Sequence, residues 1–194
     1  MTKSEQTKAF IIEKTAPIFN VKGYEGTSMS DITNATGLTK GSIYGNFLNK
    51  DEVALAVFDY NLQKVQTIIR SEMAKYRTAK DKLLVYVNVY DNFLNLPFPQ
   101  GGCPIMNTAI ESDDTHPGLK KKAADALISW KNKIVLLIEN GIAVKEFNKK
   151  TNAEEAALTI IAVIEGAIMI TKLTGKINYR KAILQSVKTI IVNL

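Results

Sequence analysis

The amino-acid sequence predicts an all-α protein, with an N-terminal cluster of three short helices and a larger helical body. Apolar residues recur at helical spacing along nearly the whole chain. No segment shows a convincing strand pattern. A third observation is the short segment TGLTKGSIYGNF (residues 36–47), which is too polar and too rich in glycine for an ordinary core helix. This segment therefore needs an explanation other than core packing.

The bulk composition is that of an ordinary globular chain. Its 194 residues are 46% hydrophobic and 23% charged, and its net charge of +6 permits a polyanionic partner without requiring one. With one cysteine and one histidine, an intramolecular disulfide and a four-ligand structural zinc site are both excluded. The N-terminus lacks the apolar core of a signal peptide. The most apolar run (residues 156–170) contains Glu165 and is too short for a comfortable membrane span, so we expect a cytoplasmic protein.

The first helix is predicted from Ile12, Ala16 and Phe19, which share one helical face. Pro17 lies inside this pattern and is expected to bend the helix or to remove one backbone hydrogen bond. Gly23 is expected to end the helix as its C-cap.

Two shorter helices are predicted next. Ser28 is a candidate N-cap with Asp31 three residues later, a weaker form of the capping box, and Gly37 ends that helix. Thr39 is a candidate N-cap for a third helix, which runs from Lys40 to about residue 46.

The rest of the chain is predicted to be helical between short loops. Asn49 is a candidate N-cap of the fourth helix, with Glu52 as its capping-box partner. Prolines and glycines make residues 96–104 a loop. Further helices are predicted from residue 81, within residues 107–114, from 119 to about 141, near 153–173 and near 179–192.

Two short helices joined by a tight glycine-containing turn describe a helix-turn-helix. Its last helix enters the major groove of DNA only if its exposed face is polar and its first turn is not bulky. Ile43 and Phe47 lie one turn apart and can anchor this helix to the first two. Its remaining residues are small or carry hydrogen-bond donors: Thr39, Lys40, Gly41, Ser42 and Asn46. The unusual composition of the segment is therefore that of a DNA-recognition helix.

Residues 23–58 (GYEGTSMSDITNATGLTKGSIYGNFLNKDEVALAVF) closely resemble the DNA-binding region of the TetR/AcrR family of transcriptional regulators. The shared pattern includes the Gly-Tyr entry, the Thr-Ser start of helix two, the Gly-Leu turn and the Lys-Gly-Ser-Ile-Tyr recognition helix. The match covers roughly the first third of the chain, and the remainder agrees in helix layout and length. The resemblance implies a helix-turn-helix domain over residues 1–49 and a ligand-binding and dimerisation domain over residues 50–194.

The resemblance also implies which residues contact DNA: Thr27, Ser28, Thr39, Lys40, Gly41, Ser42, Tyr44, Asn46 and Lys50. Thr27 and Ser28 are expected to contact backbone phosphate at the start of helix two, and Tyr44 and Lys50 to bind phosphate through a hydroxyl and an ammonium group. The alternatives are structural: a simple helix cap for the first pair, a half-buried core ring for Tyr44 and a solvated lysine for Lys50.

The family's body usually holds a ligand cavity and an intersubunit four-helix bundle. Aromatic and sulfur-containing side chains suit an apolar or planar small molecule. The candidate lining residues are Tyr86, Tyr90, Phe93, Cys103, Met106, Trp130, Ile134 and Met169. The apolar stripes of the last two helices suit a dimer interface, with candidates Ile160, Val163, Gly166, Ala167, Ile170, Ile183, Val187 and Ile190. For both sets the alternative is that the residues simply complete the core of one protomer.

The leading functional hypothesis is a homodimeric regulator, most often a repressor in this family. We expect it to bind a pseudo-palindromic operator in double-stranded DNA and to respond to a small-molecule effector, with no cofactor, metal or membrane partner. One alternative is a helical protein-binding module that has lost DNA reading. The other is an all-α enzyme, which the sequence disfavours because it contains no catalytic triad pattern, metal cluster or phosphate-binding loop.

Overall fold

The computed structural model describes residues 2–112 and 114–194. Within these ranges the chain forms α-helices and no strand, so the all-α prediction is confirmed. The described helices, in chain order, are α1 (Lys3–Lys22), α2 (Met29–Thr36), α3 (Lys40–Tyr44), α4 (Lys50–Met73), α5 (Ala79–Asp91), α6 (Pro104–Ser112), α7 (Pro117–Ala143), α8 (Ala153–Thr174) and α9 (Ile177–Val192).

The chain divides into two compact units. The first unit contains residues 1–65 and 99–126, and the second contains residues 66–98 and 127–194. Helices α1, α2, α3 and α6 therefore belong to the first unit, and α5, α8 and α9 to the second. The functional division after residue 49 stays a prediction, because these units are defined by packing and not by activity.

Helix α1 is longer than the sequence suggested. It spans 20 residues and continues through Pro17, so the expected cluster of three short helices contains only two, α2 and α3. Its buried face includes Ile11, Thr15 and Asn20 together with the predicted Ala16 and Phe19. Thr15 tolerates burial because its hydroxyl donates a hydrogen bond to the carbonyl oxygen of Ile11 at 2.7 Å.

Local capping fixes the ends of α2 and α3, as predicted. Ser28 and Asp31 form a reciprocal capping box at the start of α2, and Gly37 ends that helix in the left-handed conformation, with φ 68° and ψ 9°. Thr39 caps α3 by accepting a hydrogen bond from the Ser42 N–H at 3.2 Å. Helix α3 ends two residues before the predicted limit, at Tyr44.

Helices α5, α7 and α9 each begin two residues earlier than predicted. Thr78 caps α5 by accepting a hydrogen bond from the Asp81 N–H at 3.0 Å. In α7 the first helical residue is Pro117, which suits a position without an N–H partner. The preceding His116 accepts a hydrogen bond at its Nδ1 from the Leu119 N–H, at 3.1 Å. The chain's single histidine therefore acts as a helix cap.

Helix α8 is the apolar centre of the second unit. It packs against α9 and α5, and its buried residues include Ile160, Ile164 and Ala167. With 22 residues and a mean hydropathy of 1.9 in its most apolar window, it is the one helix of the described chain that is long and apolar enough to span a membrane. This length corrects the expectation that the run is too short. Buried core helices meet the same criterion, and the inward face of α8 is of that kind.

Candidate nucleic-acid interface

Helix α3 presents a polar and small surface because its apolar residues point inward. Ile43 and Phe47 are buried, with 1% and 4% of their surface exposed, and they anchor the helix as predicted. Lys40 and Gly41 are exposed on the opposite side. Tyr44 is 48% exposed, so about half of its side chain is available to another molecule, and its phosphate contact stays a prediction. The arrangement gives a donor-bearing face of the kind that a major groove accepts.

The fold itself does not require a glycine at position 41. A Cβ atom built there would meet only the Thr39 hydroxyl oxygen, at 3.9 Å, which is an ordinary contact. Glycine costs an exposed helix up to about 1 kcal/mol relative to alanine. Within the described chain no contact accounts for a glycine at this position, and the close approach of Gly41 to DNA stays a prediction.

The start of α2 is already occupied by a carboxylate. Asp31 accepts hydrogen bonds from the Ser28 N–H at 2.9 Å and from the Lys22 ammonium at 2.7 Å. The Lys22 bond, followed by those from Ser28, holds the pKa of Asp31 well below its usual range. Ser28 is exposed and acts as a cap, and its phosphate contact stays a prediction.

Thr27 and Lys50 serve the turn between α1 and α2. Thr27 is fully buried, and its hydroxyl donates to the Gly23 carbonyl oxygen at 2.6 Å. The Lys50 ammonium donates to the carbonyl oxygens of Tyr24 and Thr27 at 3.0 and 3.2 Å and lies 4.0 Å from the centroid of the Tyr24 ring. The structure therefore does not bring the Thr27 hydroxyl to the surface that Lys40 occupies.

Asn46 is engaged inside the protein at both ends of its amide. Its Nδ2 donates to the Ser42 carbonyl oxygen at 2.9 Å, and its Oδ1 accepts from the Ser4 hydroxyl at 3.2 Å. These bonds cap α3 and tie its end to the start of α1. The predicted reading of DNA by Asn46 would require it to give up these bonds.

Helix α6 holds the end of α1 through polar residues that sequence reasoning missed. The Glu111 carboxylate accepts hydrogen bonds from the N–H groups of Tyr24 and Glu25, both at 2.8 Å. Asn107 donates to the Asn20 carbonyl oxygen at 3.0 Å, and the Asn20 side chain donates to the Gly102 carbonyl oxygen at the same distance. These partners lie more than 80 positions apart, so no local pattern signals them.

A second polar contact fixes Tyr24. Its hydroxyl donates to the Asp51 carboxylate, and burial together with this bond raises the pKa of Tyr24 to about 12. The His116 ring packs edge-on against Tyr24, with ring centroids 4.6 Å apart, and its Nε2 lies 4.0 Å from Asp51. The turn that leads into α2 is thus held by side chains from α4 and from the residue before α7.

A pocket of about 310 Å³, measured to its open mouth, lies in the first unit. Its walls include Phe19, Val57 and Phe58, and Asn20 and Glu111 contribute polar atoms. Among the residues described, its lining contains none of the eight predicted ligand-binding residues. The pocket is therefore distinct from the predicted effector site.

Part of the predicted effector site does come together in the second unit. Trp130 stacks on Tyr90 with ring centroids 5.5 Å apart and lies 5.9 Å from Tyr86, whose burial raises its pKa. Phe93 and Ile134 are also buried in this unit. Cys103 and Met106 belong to the first unit, and Met169 is 43% exposed on α8.

The predicted dimer residues fall into two groups. Ile160, Ala167 and Val187 are fully buried within one protomer. The others are partly exposed: Val163, Gly166, Ile170, Ile183 and Ile190. A Cβ atom built on Gly166 would meet no heavy atom within 4 Å. Exposed apolar residues accompany this face, among them Leu158 at 48% and Leu173 at 80%.

Two family models match the chain. Residues 11–57 match the model described as bacterial regulatory proteins, tetR family, and residues 79–187 match the model described as tetracyclin repressor-like, C-terminal domain. The first match contains α2 and α3. The second contains Tyr86, Tyr90 and Trp130, all of α8 and most of α9.

Solved structures and a sequence relative agree with these matches. A TetR-family transcriptional regulator from Cytophaga hutchinsonii is 48% identical, covers 98% of this chain and 96% of its own, and superposes with a TM-score of 0.95. A TetR transcriptional regulator from Chloroflexus aurantiacus is 37% identical over the same shares, with a TM-score of 0.93. An HTH-type transcriptional regulator from the lacX 3′ region of Lactococcus lactis subsp. lactis is 28% identical over 94% of this chain and 92% of its own.

Proposed function

Because this chain belongs to the TetR family of DNA-binding transcriptional regulators, we propose that it acts as a cytoplasmic homodimeric repressor. Each protomer places α3 in the major groove of one half-site of a pseudo-palindromic operator. A small molecule bound in the second unit lowers the affinity for that operator. The observation that carries this proposal is the exposed face of α3, which contains Lys40, Gly41 and Tyr44. Within the described chain, no contact accounts for a glycine at position 41.

The roles within that face follow from chemistry. Lys40 carries a positive charge and binds a guanine edge or a nearby phosphate. The Tyr44 hydroxyl donates to a phosphate oxygen. Thr39 and Ser42 lie beside Lys40, and Gly41 lets the helix approach the base edges. Lys50 supports the site by holding the turn between α1 and α2, since its ammonium bonds to two carbonyl oxygens there.

Dimerisation is proposed through the outer faces of α8 and α9. A single helix-turn-helix makes few contacts, and two copies related by a twofold axis bind a palindrome far more tightly. Gly166 has open space around it, which allows a partner helix to come close. Exposed apolar side chains flank it, including Leu158, Met169 and Leu173. The buried Ile160, Ala167 and Val187 support these outer faces from within.

Selection of binding sites from a random double-stranded DNA pool tests the proposal. Purified full-length protein at moderate salt is expected to enrich a short inverted repeat. Affinity for that repeat is expected to fall by about 10³-fold or more between 50 and 200 mM salt if six or more phosphates are contacted. A folded, dimeric sample that enriches no repeat, even after unfolding, ligand removal and refolding, would contradict the proposal.

Alanine variants of the α3 face locate the binding surface. Lys40→Ala and Tyr44→Ala are each expected to weaken operator binding by about tenfold or more, since each removes a contact to DNA. If Lys40 contacts a phosphate, Lys40→Ala also lowers the slope of log affinity against log salt by about 1, whereas Tyr44→Ala, which removes no charge, leaves that slope unchanged. Lys149→Ala removes an exposed lysine of the second unit and is the matched control. Unchanged affinity in both α3 variants would favour the protein-binding module instead.

A further inference from the structure

A continuous aromatic cluster in the second unit ends at a buried guanidinium group. Trp130 stacks on Tyr90, and Tyr90 packs edge-on against Phe98, with ring centroids 5.6 Å apart. Phe98 in turn contacts Phe93 at 5.7 Å, and the Arg180 guanidinium lies 5.0 Å from the Phe93 ring centroid. An indole and a cation therefore stand at the two ends of one row of rings.

The guanidinium of Arg180 is not fully satisfied. The residue is only 4% exposed. Its Nε donates a single long hydrogen bond to Asp91 at 3.4 Å, and the Asp91 side chain is 25% exposed. Among the described residues its buried Nη1 has no hydrogen-bond partner. A guanidinium has five N–H donors, and a buried charge with unmet donors is costly, so this group has the capacity to bind a further acceptor.

The indole at the other end has the same property. Trp130 is 7% exposed, and in the described part of the chain its buried Nε1 finds no acceptor. Buried donors without partners are rare in native proteins. Two of them at opposite ends of one aromatic cluster do not suit a hydrocarbon ligand, which would leave both donors unmet. They suit a ligand with a flat ring body and oxygen atoms at its ends.

We propose that this cluster binds a planar aromatic acid whose carboxylate accepts hydrogen bonds from Arg180. The inference rests on the proposed function, in which the second unit holds the effector, and it names the chemical class of that effector. The ring body lies among Tyr90, Trp130 and Phe93, and an acceptor on the far end of the ligand meets the Trp130 N–H. Arginine pairs with carboxylates through parallel charge-assisted bonds, which favours an anion over a neutral acceptor.

Room for the ring comes from the wall formed by Phe93 and Phe98. Both lie in the non-helical segment that follows α5, residues 92–98. This segment can shift without breaking a helix, whereas Trp130 and Arg180 are fixed on α7 and α9. Asp91, which is partly exposed, returns to solvent when the ligand carboxylate takes its place.

The probes are biphenyl-4-carboxylate and its neutral counterpart biphenyl-4-methanol. Calorimetry on the full-length protein is expected to give a dissociation constant at least about tenfold lower for the carboxylate, because hydrogen bonds to charged groups contribute about 1.5–3 kcal/mol. The chain's single tryptophan lies in the site, so its emission is expected to change on binding. Equal affinity for the two probes, or no binding of either at millimolar concentration, would overturn the inference.

A matched pair of variants separates a specific contact from general attraction. Arg180→Gln is expected to abolish the preference for the carboxylate. Lys181→Gln removes the same charge from the exposed neighbour on α9 and is expected to keep the preference. If Lys181→Gln loses the preference as fully as Arg180→Gln does, the carboxylate is held by general attraction and the inference is wrong.

The far end of the site is tested with 4′-hydroxybiphenyl-4-carboxylate. This probe is expected to bind wild-type protein more tightly than biphenyl-4-carboxylate, and Trp130→Phe is expected to remove that advantage while keeping the ring. This comparison does not need an Arg180 variant that folds. The same samples are assayed for the selected operator. DNA binding without any probe preference refutes only the ligand class, whereas probe binding without DNA binding refutes only the proposed regulator.

Discussion

Two glycines of the first unit lie in opposite surroundings. At Gly23 the backbone has φ 74°, and a Cβ atom would collide with the Glu111 carboxylate. The fold therefore requires glycine at that position. At Gly41 neither the backbone nor the neighbouring atoms impose such a requirement. The sequence pattern already suggests different roles for the two glycines, and the structure shows that the fold requires the first and not the second.

Gly41→Ala is expected to leave the protein as stable as before, or more stable by up to about 1 kcal/mol, because alanine favours a helix. Its methyl group projects from the exposed face of α3, so operator affinity is expected to fall by about tenfold. Thermal unfolding and titration of the selected operator measure the two effects. Unchanged DNA affinity would show that Gly41 does not approach the bases.

The Asp31 carboxylate predicts a dependence of stability on pH. Its pKa is lowered in the folded protein, so its contribution is fully present above the unfolded value of about 3.9 and is lost as pH falls further through the folded value. Asp31→Asn is expected to lower the midpoint of urea unfolding at pH 7. The difference from wild type should narrow as the pH falls below about 4.

Asp125→Asn provides the control for this measurement. Asp125 also pairs with a lysine, Lys121, but both side chains are largely exposed. Exposed ion pairs contribute little to stability, so the midpoint of urea unfolding of this variant is expected to equal that of wild type at every pH. A constant difference between Asp31→Asn and wild type from pH 7 down to pH 3 would contradict the role given to the charge of Asp31.

At the level of elements, sequence reasoning succeeded where the signal is local. The caps at Ser28, Gly37 and Thr39 depend on residues within four positions, so their pattern is visible in the chain. The hydrogen bonds from the turn after α1 to α6 depend on Glu111, whose partners lie 86 and 87 positions away. Periodicity also missed Thr15, because a hydroxyl bonded to its own helix can be buried in an apolar face.

Glu111→Ala tests whether α6 supports the helix-turn-helix formed by α2 and α3, which we call the reading head. It leaves the N–H groups of Tyr24 and Glu25 without their carboxylate, so we expect a loss of about 1–3 kcal/mol in the free energy of unfolding. Operator affinity should fall as well, because the entry into α2 is no longer fixed. Urea unfolding and DNA titration measure both effects.

Glu139→Ala is the matched control, since Glu139 is an exposed glutamate of α7 in the second unit. It is expected to change neither quantity by more than about 0.5 kcal/mol. If Glu111→Ala behaves like Glu139→Ala, the hydrogen bonds from α6 do not position the reading head.

At the level of the whole molecule, the outer face of α8 is the surface that we propose for dimerisation. The sequence predicted an apolar stripe correctly, but it did not tell inward residues from outward ones. Ile160 and Ala167 are fully buried in one protomer, while Gly166 and Leu173 are not. Helical periodicity identifies the apolar faces of a helix, and an almost wholly apolar helix has an apolar face on each side. Only the packing of the protomer then shows which face belongs to the core and which remains exposed.

Gly166→Arg is expected to convert the protein to a monomer. The side chain fits the protomer, since a Cβ atom there meets nothing within 4 Å, but it blocks a partner helix. Light scattering should show half the mass, circular dichroism should be retained, and affinity for the inverted repeat should fall by about 10²-fold or more. Thr67→Arg adds the same charge at an exposed position of α4 and should remain dimeric. A Gly166→Arg dimer would exclude this face.

The first unit is discontinuous in the chain, with residues 99–126 completing what residues 1–65 begin. During synthesis the reading head therefore emerges from the ribosome well before α6. The N–H groups of Tyr24 and Glu25 cannot bond to the Glu111 carboxylate until that helix has been made. A truncated product that ends after α4 contains the whole recognition helix but not its support. Gene fragments that encode only the helix-turn-helix are accordingly expected to yield a poorly ordered domain. Premature termination products should therefore compete weakly with the full-length protein for the operator.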